Sequence, residues 1–472
     1  MIIYTIKSGD SLWKIASYYH VSTASIVEQN ELSNPNRLVV GQALVIPTEA
    51  AFHTVKPGET LWSIAQAYGI TLTAILQYNQ ITTPNSISPG NVLLIPAPRH
   101  RIQPGETLWQ IAQRYGVSVQ TLMKVNNITN PNLIYPGNEL MIPIKPRPVI
   151  DVNGYIYLLG AQAAPIVREV GRYLTYLSPF AYRIKENGDL EAIDDNPAVN
   201  TAYTMNVVPL MSITNFTSTE LGENLAHAVL SNPQTVENLL TNIIRIMNQK
   251  GYRGLNIDFE NVLPADRENY NRFLQLAVDR LHPEGFSVSS ALAPKVSAEQ
   301  AGLLYEAHDY AAHGRILDFV VLMTYEWGYR LGPPRAISPI DQIRRVLDYA
   351  VTVMPRNKLF LGFQIYARDW LLPHVQGQEA ETFSNKEAIE RAVQYGAVIQ
   401  YDSIAQSPYY RYRDEQGKMH EVWFEDARSA QAKFDVTKAY GLRGISYWAL
   451  GYPYPENWAL LEDNFTVRRL LG

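Results

Sequence analysis

Cysteine is absent from all 472 residues, which excludes disulfides, Cys-based zinc sites and a thiol nucleophile. No apolar run approaches the ~18 residues that a membrane-spanning helix needs, and no membrane partner is expected. An excess of positive charge is also lacking: 40 Lys+Arg stand against 45 Asp+Glu, a formal net charge of -5. The basic face that marks nucleic-acid binders is therefore missing, and no nucleic-acid partner is expected. The opening segment Met1-Ile2-Ile3-Tyr4-Thr5-Ile6-Lys7 has no basic stretch followed by an apolar one, so synthesis in the cytoplasm without a signal peptide is expected. What remains is an ordinary globular composition, 46% hydrophobic and 11% aromatic, in a chain long enough for about three average domains.

Internal repetition organises the first third. Gly9, Gly58 and Gly105 align, followed in register by Leu12-Trp13, Leu61-Trp62 and Leu108-Trp109, and by Ile15-Ala16, Ile64-Ala65 and Ile111-Ala112. Asn30, Asn79 and Asn126 share one offset, and Gly41, Gly90 and Gly137 another; each unit closes on Ile-Pro at Ile46-Pro47, Ile95-Pro96 and Ile142-Pro143. A unit reads as β-α-α-β. An alternating strand such as Tyr4-Thr5-Ile6-Lys7 meets a Gly-Asp/Glu-Ser/Thr turn whose hydroxyl caps the next helix. Leu12, Ile15, Ala16 and Tyr19 make one apolar stripe on that helix, a second helix ends near Asn30, and the strand Ala43–Ile46 is stopped by Pro47.

This pattern resembles the LysM module, and the resemblance implies binding to N-acetylglucosamine-containing glycans such as peptidoglycan or chitin. The expected modules are residues 1–48, 51–98 and 99–145. The resemblance places the glycan groove at the turns Gly9-Asp10-Ser11, Gly58-Glu59-Thr60 and Gly105-Glu106-Thr107, and at the loops around Pro35-Asn36, Pro84-Asn85 and Pro131-Asn132. Tandem weak modules suit a repeating polymer because each added site raises the effective concentration. Lys145-Pro146-Arg147-Pro148 is a stiff connector.

From Val149 onward, apolar runs alternate with amphipathic stretches such as Thr235–Met247 and Ile340–Val353. Candidate strands are Gly154–Leu159, Tyr176–Tyr182, Asn206–Ser212, Gly254–Glu260, Ser287–Ala293, Phe319–Tyr325, Leu359–Tyr366 and Gly444–Leu450. Eight such units over residues 149–472 predict an α/β fold, a (β/α)8 TIM barrel. A doubly wound sheet is the alternative, but no Gly-x-Gly-x-x-Gly fingerprint supports it. Residues 367–443 exceed a simple connection and predict a small insertion, with Tyr409–Arg413 and Glu421–Phe424 as a hairpin turning at Gln416-Gly417.

One strand carries the wrong residues for a barrel interior. In Gly254-Leu255-Asn256-Ile257-Asp258-Phe259-Glu260 side chains alternate, so Asn256, Asp258 and Glu260 face inward, where branched aliphatics normally fill the layers. Burying two carboxylates costs on the order of several kcal/mol unless they are paired or neutralised. Their proximity disfavours double ionisation and raises one pKa, as a general acid near neutral pH requires. Glu260, at the mouth, is the expected acid and Asp258 its deeper partner.

The strand resembles the family 18 glycoside hydrolase signature Asp-Gly-x-Asp-x-Asp-x-Glu, of which Gly254, Asp258 and Glu260 are kept while Arg253 and Asn256 replace the two other Asp residues. The resemblance implies further site residues: Tyr325, in Met323-Thr324-Tyr325-Glu326, holding the substrate's acetamido group, and Trp448 flooring the sugar pocket. Met323, Glu326, Ser212, Tyr366 and Asp369 are expected to line the cleft with Asn256. It also implies substrate-assisted, retaining hydrolysis, an exception to the two-carboxylate scheme, with no cofactor and no metal. LysM repeats joined to such a barrel resemble the spore-germination, cortical-fragment-lytic N-acetylglucosaminidases of endospore-forming bacteria. That implies a monomer acting on spore-cortex peptidoglycan, made in the mother cell and lodged in the spore coat or cortex. A chitinase is the alternative within the same chemistry. A catalytically silent glycan-binding protein is the alternative outside it, and would be expected to lack Glu260.

Overall fold

The computed structural model describes all residues except 49, 84–86, 116, 118, 144–146, 218 and 472; the expected connector at Lys145-Pro146 and the loop at Pro84-Asn85 lie outside the described residues. The chain forms two compact units, one mainly residues 1–148 and the other mainly residues 149–461.

The first unit contains three small β-α-α-β modules. Antiparallel pairs join Ile2–Thr5 to Ala43–Ile46, Ala51–Thr54 to Val92–Ile95, and Arg99–Arg101 to Glu139–Met141. Two short helices lie between the strands of each pair, Leu12–Tyr19 and Thr23–Gln29 in the first. Leu12, Ile15, Ala16 and Tyr19 are buried, as the stripe predicts. The first strand runs Ile2–Thr5 rather than Tyr4–Lys7, because the Lys7 N–H is taken by the Asp10 carboxylate at 2.7 Å and leaves the ladder.

The repeated Asn bolts each module together. The Asn30 side-chain amide donates to Ile26 O at 2.7 Å and Val45 O at 2.8 Å, and its oxygen accepts from Val45 N at 2.7 Å. Asn79 does the same to Ile75 and Leu94, and Asn126 to Leu122 and Met141. Each bracket ties the end of the second helix to the last strand.

In the second unit eight parallel strands close on themselves: β1 (Val149–Ile156), β2 (Tyr176–Pro179), β3 (Val208–Thr214), β4 (Gly254–Asp258), β5 (Ser287–Leu292), β6 (Phe319–Leu322), β7 (Leu359–Gln364) and β8 (Gly444–Trp448). Consecutive strands pair, and β8 pairs β1 to complete the ring. Helices follow the strands, among them Pro233–Lys250 after β3, Arg267–Leu281 after β4 and Ile340–Val353 after β6. This is the (β/α)8 barrel that the alternation of elements predicts. Its interior holds aromatic rings as well as aliphatics: Tyr176 stacks on Phe319 at 5.4 Å, and Phe319 lies 4.9 Å from Phe360.

The insertion is larger than a hairpin. Tyr366–Leu372, Glu381–Ser384, Gln400–Asp402, Ser407–Arg413 and Met419–Trp423 form a five-stranded antiparallel sheet, with the helix Asn385–Tyr395 between its second and third segments. The expected hairpin is present, Arg413 pairing Met419 across the Gly417 turn. Tyr366 opens this sheet instead of closing β7. Helix Ala427–Tyr440 falls inside the expected insertion span but packs beside Ile340–Val353 as a barrel helix. No helix among the described residues is long and apolar enough to cross a membrane.

Replacing Asn30 with Ala orphans the Val45 N–H and C=O in a buried position, while Ile26 O keeps the backbone N–H of residue 30, an expected loss of about 1–3 kcal/mol. Calorimetry should show the N-terminal unit's transition moving down while that of the barrel stays in place.

Candidate active site

β4 presents its residues as the alternation requires. Leu255, Ile257 and Phe259 are fully buried, and Phe259 stacks outward on Tyr270 at 5.8 Å and Phe273 at 5.7 Å of helix Arg267–Leu281. Asn256 and Asp258 face the opposite way, into the barrel. Asn256 accepts from the Tyr155 hydroxyl at 2.8 Å and donates to Ser289 Oγ at 3.0 Å. The layer beneath Asp258 is therefore a neutral hydrogen-bonded chain. Asp258 Oδ1 and Ser212 Oγ are buried with no protein partner among the described residues.

Strand pairing stops at Asp258, and side chains take over at Glu260. Asn215, just past β3, accepts from Glu260 N at 2.9 Å and donates to Glu260 O at 2.7 Å. Burial first, then the charge of Glu260, pushes the Asp258 carboxyl well above the ordinary range. Burial and the neighbouring Glu326 push Glu260 up to about 7. Both carboxyls are thus raised above the ordinary range, and Glu260, at about 7, can hold a proton near neutrality as a general acid requires.

Tyr325 follows β6. A Cβ at Gly362 would sit 2.8 Å from the Tyr325 ring and 2.2 Å from Leu322 O, so only glycine at 362 leaves this ring its place. Burial first, then the neighbouring Tyr155, Asp258, Tyr366 and Glu260, raises the Tyr325 hydroxyl far above the usual phenol value. Trp448, ending β8, is boxed edge-on by Phe180 at 4.9 Å and Tyr155 at 5.7 Å, with Tyr157 tilted against it at 6.2 Å. Met323 packs into the same cluster, partly buried.

Glu326 and Tyr366 meet, and Arg368 fixes them. The Tyr366 hydroxyl donates to Glu326 Oε1, and Arg368 grips both Glu326 oxygens at 2.9 Å. Asp369 is a correction. Tyr366, Arg368 and Trp370 share one face of their strand, and Asp369 lies on the other. There its carboxylate takes Arg391 at 2.7 Å, Tyr412 at 2.6 Å and His420 at 2.8 Å. It organises the insertion and does not line the cleft. Asn215, Tyr155, Phe180 and Arg368 escape the sequence reading; only the position of Arg368, two residues after Tyr366 on one strand face, gives a signal.

Gly9, Gly58 and Gly105 have φ of 85°, 84° and 84°, a conformation that glycine reaches without strain. Asp10, Glu59 and Glu106, however, fold back on their own modules. Each accepts the backbone N–H three residues earlier, from Lys7, Lys56 and Gln103. Each also binds the side chain six residues earlier: Tyr4 at 2.8 Å, His53 at 2.8 Å and His100 at 2.6 Å. Ser11, Thr60 and Thr107 cap the helices that follow. These side chains build the turn, and a neighbouring indole stands exposed in each module: Trp13, Trp62 and Trp109 are 72%, 62% and 63% exposed.

Residues 197–452 match the model for glycosyl hydrolases family 18, and residues 4–47, 53–96 and 100–143 match the LysM domain. The chain belongs to the glycosyl hydrolases of family 18, with three LysM domains ahead of its barrel, and is a glycoside hydrolase. The cortical fragment-lytic enzyme of Bacillus subtilis (strain 168) is 47% identical over 472 residues, covering 99% of each chain. The Bacillus anthracis enzyme of the same description is 43% identical over 304 residues, 64% of this chain and 70% of that one. Among solved structures, the Bacillus megaterium QM B1551 spore cortex-lytic enzyme SleL superposes with a TM-score of 0.82 at 38% identity, covering 99% of this chain and 98% of that one.

Removing the Glu326 charge should favour ionised Glu260, and the freed Arg368 acts in the same direction. In Glu326→Gln the basic limb of the kcat/KM–pH profile is therefore expected to move to lower pH, as rates measured across the neutral range will show.

Proposed function

We propose that this chain is an N-acetylglucosaminidase that cleaves the bond following N-acetylglucosamine in spore-cortex peptidoglycan, on partly degraded material during germination. The observation that carries the reading is the Asp258–Glu260 pair. Two carboxyls with raised pKa values stand at a barrel mouth, in a chain 47% identical along its whole length to a cortical fragment-lytic enzyme.

In this reading Glu260, protonated below pH about 7, gives its proton to the glycosidic oxygen as the leaving sugar departs. The substrate's own N-acetyl carbonyl attacks the anomeric carbon and forms an oxazolinium ion. Asp258, whose Oδ1 has no protein partner among the described residues, takes the acetamide N–H on its carboxylate and stabilises the developing positive charge. Tyr325 holds the acetamide oxygen. Water, losing its proton to Glu260, then opens the ring with retention. Trp448 offers a flat face to the sugar, while Met323, Ser212 and the Glu326–Tyr366 pair shape the cleft around it. Asn256 acts through Tyr155 and Ser289, without touching substrate. The LysM modules hold the polymer near the barrel by avidity. The chain works as a monomer in the spore coat or cortex, with no cofactor.

The test is product analysis by mass spectrometry on purified cortex fragments. Wild type should release fragments with N-acetylglucosamine at the new reducing end, and Glu260→Gln should lower that rate by about a hundred- to ten-thousandfold. Release from chitin oligomers but not from cortex fragments would redirect the reading to a chitinase. No release from either, with wall binding retained, would replace it with a binding role.

A further inference from the structure

The peptide unit between Phe259 and Glu260 is held at both ends by side chains from outside β4. Its N–H, on Glu260, donates to Asn215 Oδ1 at 2.9 Å. Its C=O, on Phe259, lies 2.9 Å from His308 Nε2. The chemistry of the other His308 nitrogen fixes the donor. Nδ1 stands 3.0 Å from the backbone N of Ala293, which can only donate. Nδ1 therefore accepts, the proton sits on Nε2, and Nε2–H donates to the Phe259 carbonyl. Both clamping residues are fully enclosed, Asn215 at 0% and His308 at 1% exposure.

These bonds replace the sheet where it ends. β4 pairs β3 through Asp258 and β5 through Ile257, so the following peptide has no ladder partner. Asn215 extends β3, and Ala293, which orients His308, extends β5. We propose that Asn215 and His308 form a two-sided clamp on the Phe259–Glu260 peptide and are positioning residues that aim the Glu260 carboxyl at the glycosidic oxygen. The inference rests on the reading of Glu260 as the acid.

The clamp is built to stay neutral. Around His308 stand Tyr270 and His313, with ring centroids at 6.2 Å and 6.3 Å. Lys295 Nζ binds the His308 carbonyl at 3.2 Å, and the adjoining Asp309 is occupied by Arg267 at 2.9 Å. On the far side of β4 lie Asp258 and Glu260. Burial pushes the imidazole down to about 4, so its tautomer holds through the range in which Glu260 titrates. Asn215 does not titrate. Its amide is further fixed by a bond to Gly222 O at 3.1 Å.

Steady-state kinetics and melting curves of the full chain test the clamp, using cortex fragments and the variants Asn215→Ala, His308→Leu, His308→Gln and Glu260→Gln, with the Ala/Leu double variant. Misplacing a reacting group by a fraction of an ångström is expected to lower kcat about ten- to a hundredfold in Asn215→Ala and in His308→Leu, with KM nearly unchanged. His308→Gln can put an amide N–H where Nε2–H stands, and should recover most of the rate. Because both residues hold one peptide, the double variant should lose far less than the product of the single losses. Losses that multiply, or kcat unchanged in Asn215→Ala, would overturn the clamp. If His308→Leu does not fold, Asn215→Ala and His308→Gln still decide: the first must lose kcat and the second keep it. A Glu260→Gln variant that retains full activity would instead remove the acid assignment on which the clamp rests.

Discussion

Carboxylates lose much more by leaving water than neutral groups do, and two on one strand face of a closed barrel repel each other as well. The surroundings of Asp258 and Glu260 answer to that constraint. Beneath the pair, the Tyr155–Asn256–Ser289 chain is uncharged, so no third ionised group is forced into the same interior. Beside it, Arg368 holds Glu326 in a bidentate ion pair. This further acid is thereby compensated while still raising the Glu260 pKa. The remaining relief is protonation, which is the state that general-acid chemistry uses.

The antiparallel insertion is part of this arrangement. Its first strand places Tyr366 and Arg368 toward Glu326 and turns Asp369 toward Arg391, Tyr412 and His420. The two faces of one short strand do separate work, one completing the barrel mouth and the other holding the inserted sheet to its helix. Tyr366 and Arg368 come from the excursion between β7 and β8.

Periodicity made the architecture legible. Three in-register repeats and eight alternating strand–helix units need no coordinates to be seen, and the inward run Asn256, Asp258, Glu260 is visible because period-two patterning leaves those residues nowhere else to point. Strand ends were less legible. Glu260 belongs to an apolar-alternating run yet lies beyond the last pair, since the ladder is replaced there by Asn215 and His308, which are distant in sequence. Asp369 failed for a related reason: a one-residue offset reverses the face, and the start of a new sheet at Tyr366 left no mark in the pattern. The turn acids Asp10, Glu59 and Glu106 were found as a repeated feature, but repetition does not separate a residue that builds a turn from one that meets a ligand. Their bonds to Tyr4, His53 and His100 give them a part in building the turn.

The bracket of Asn30, Asn79 and Asn126 closes all of its hydrogen bonds within the module that makes it. Copying or deleting a stretch of sequence that carries one such unit leaves no partner of its bracket behind in the remainder. In terms of inheritance, the module is a clean unit of duplication. The number of glycan-holding modules in a lineage can therefore drift by recombination while the barrel and its two carboxyls stay as they are.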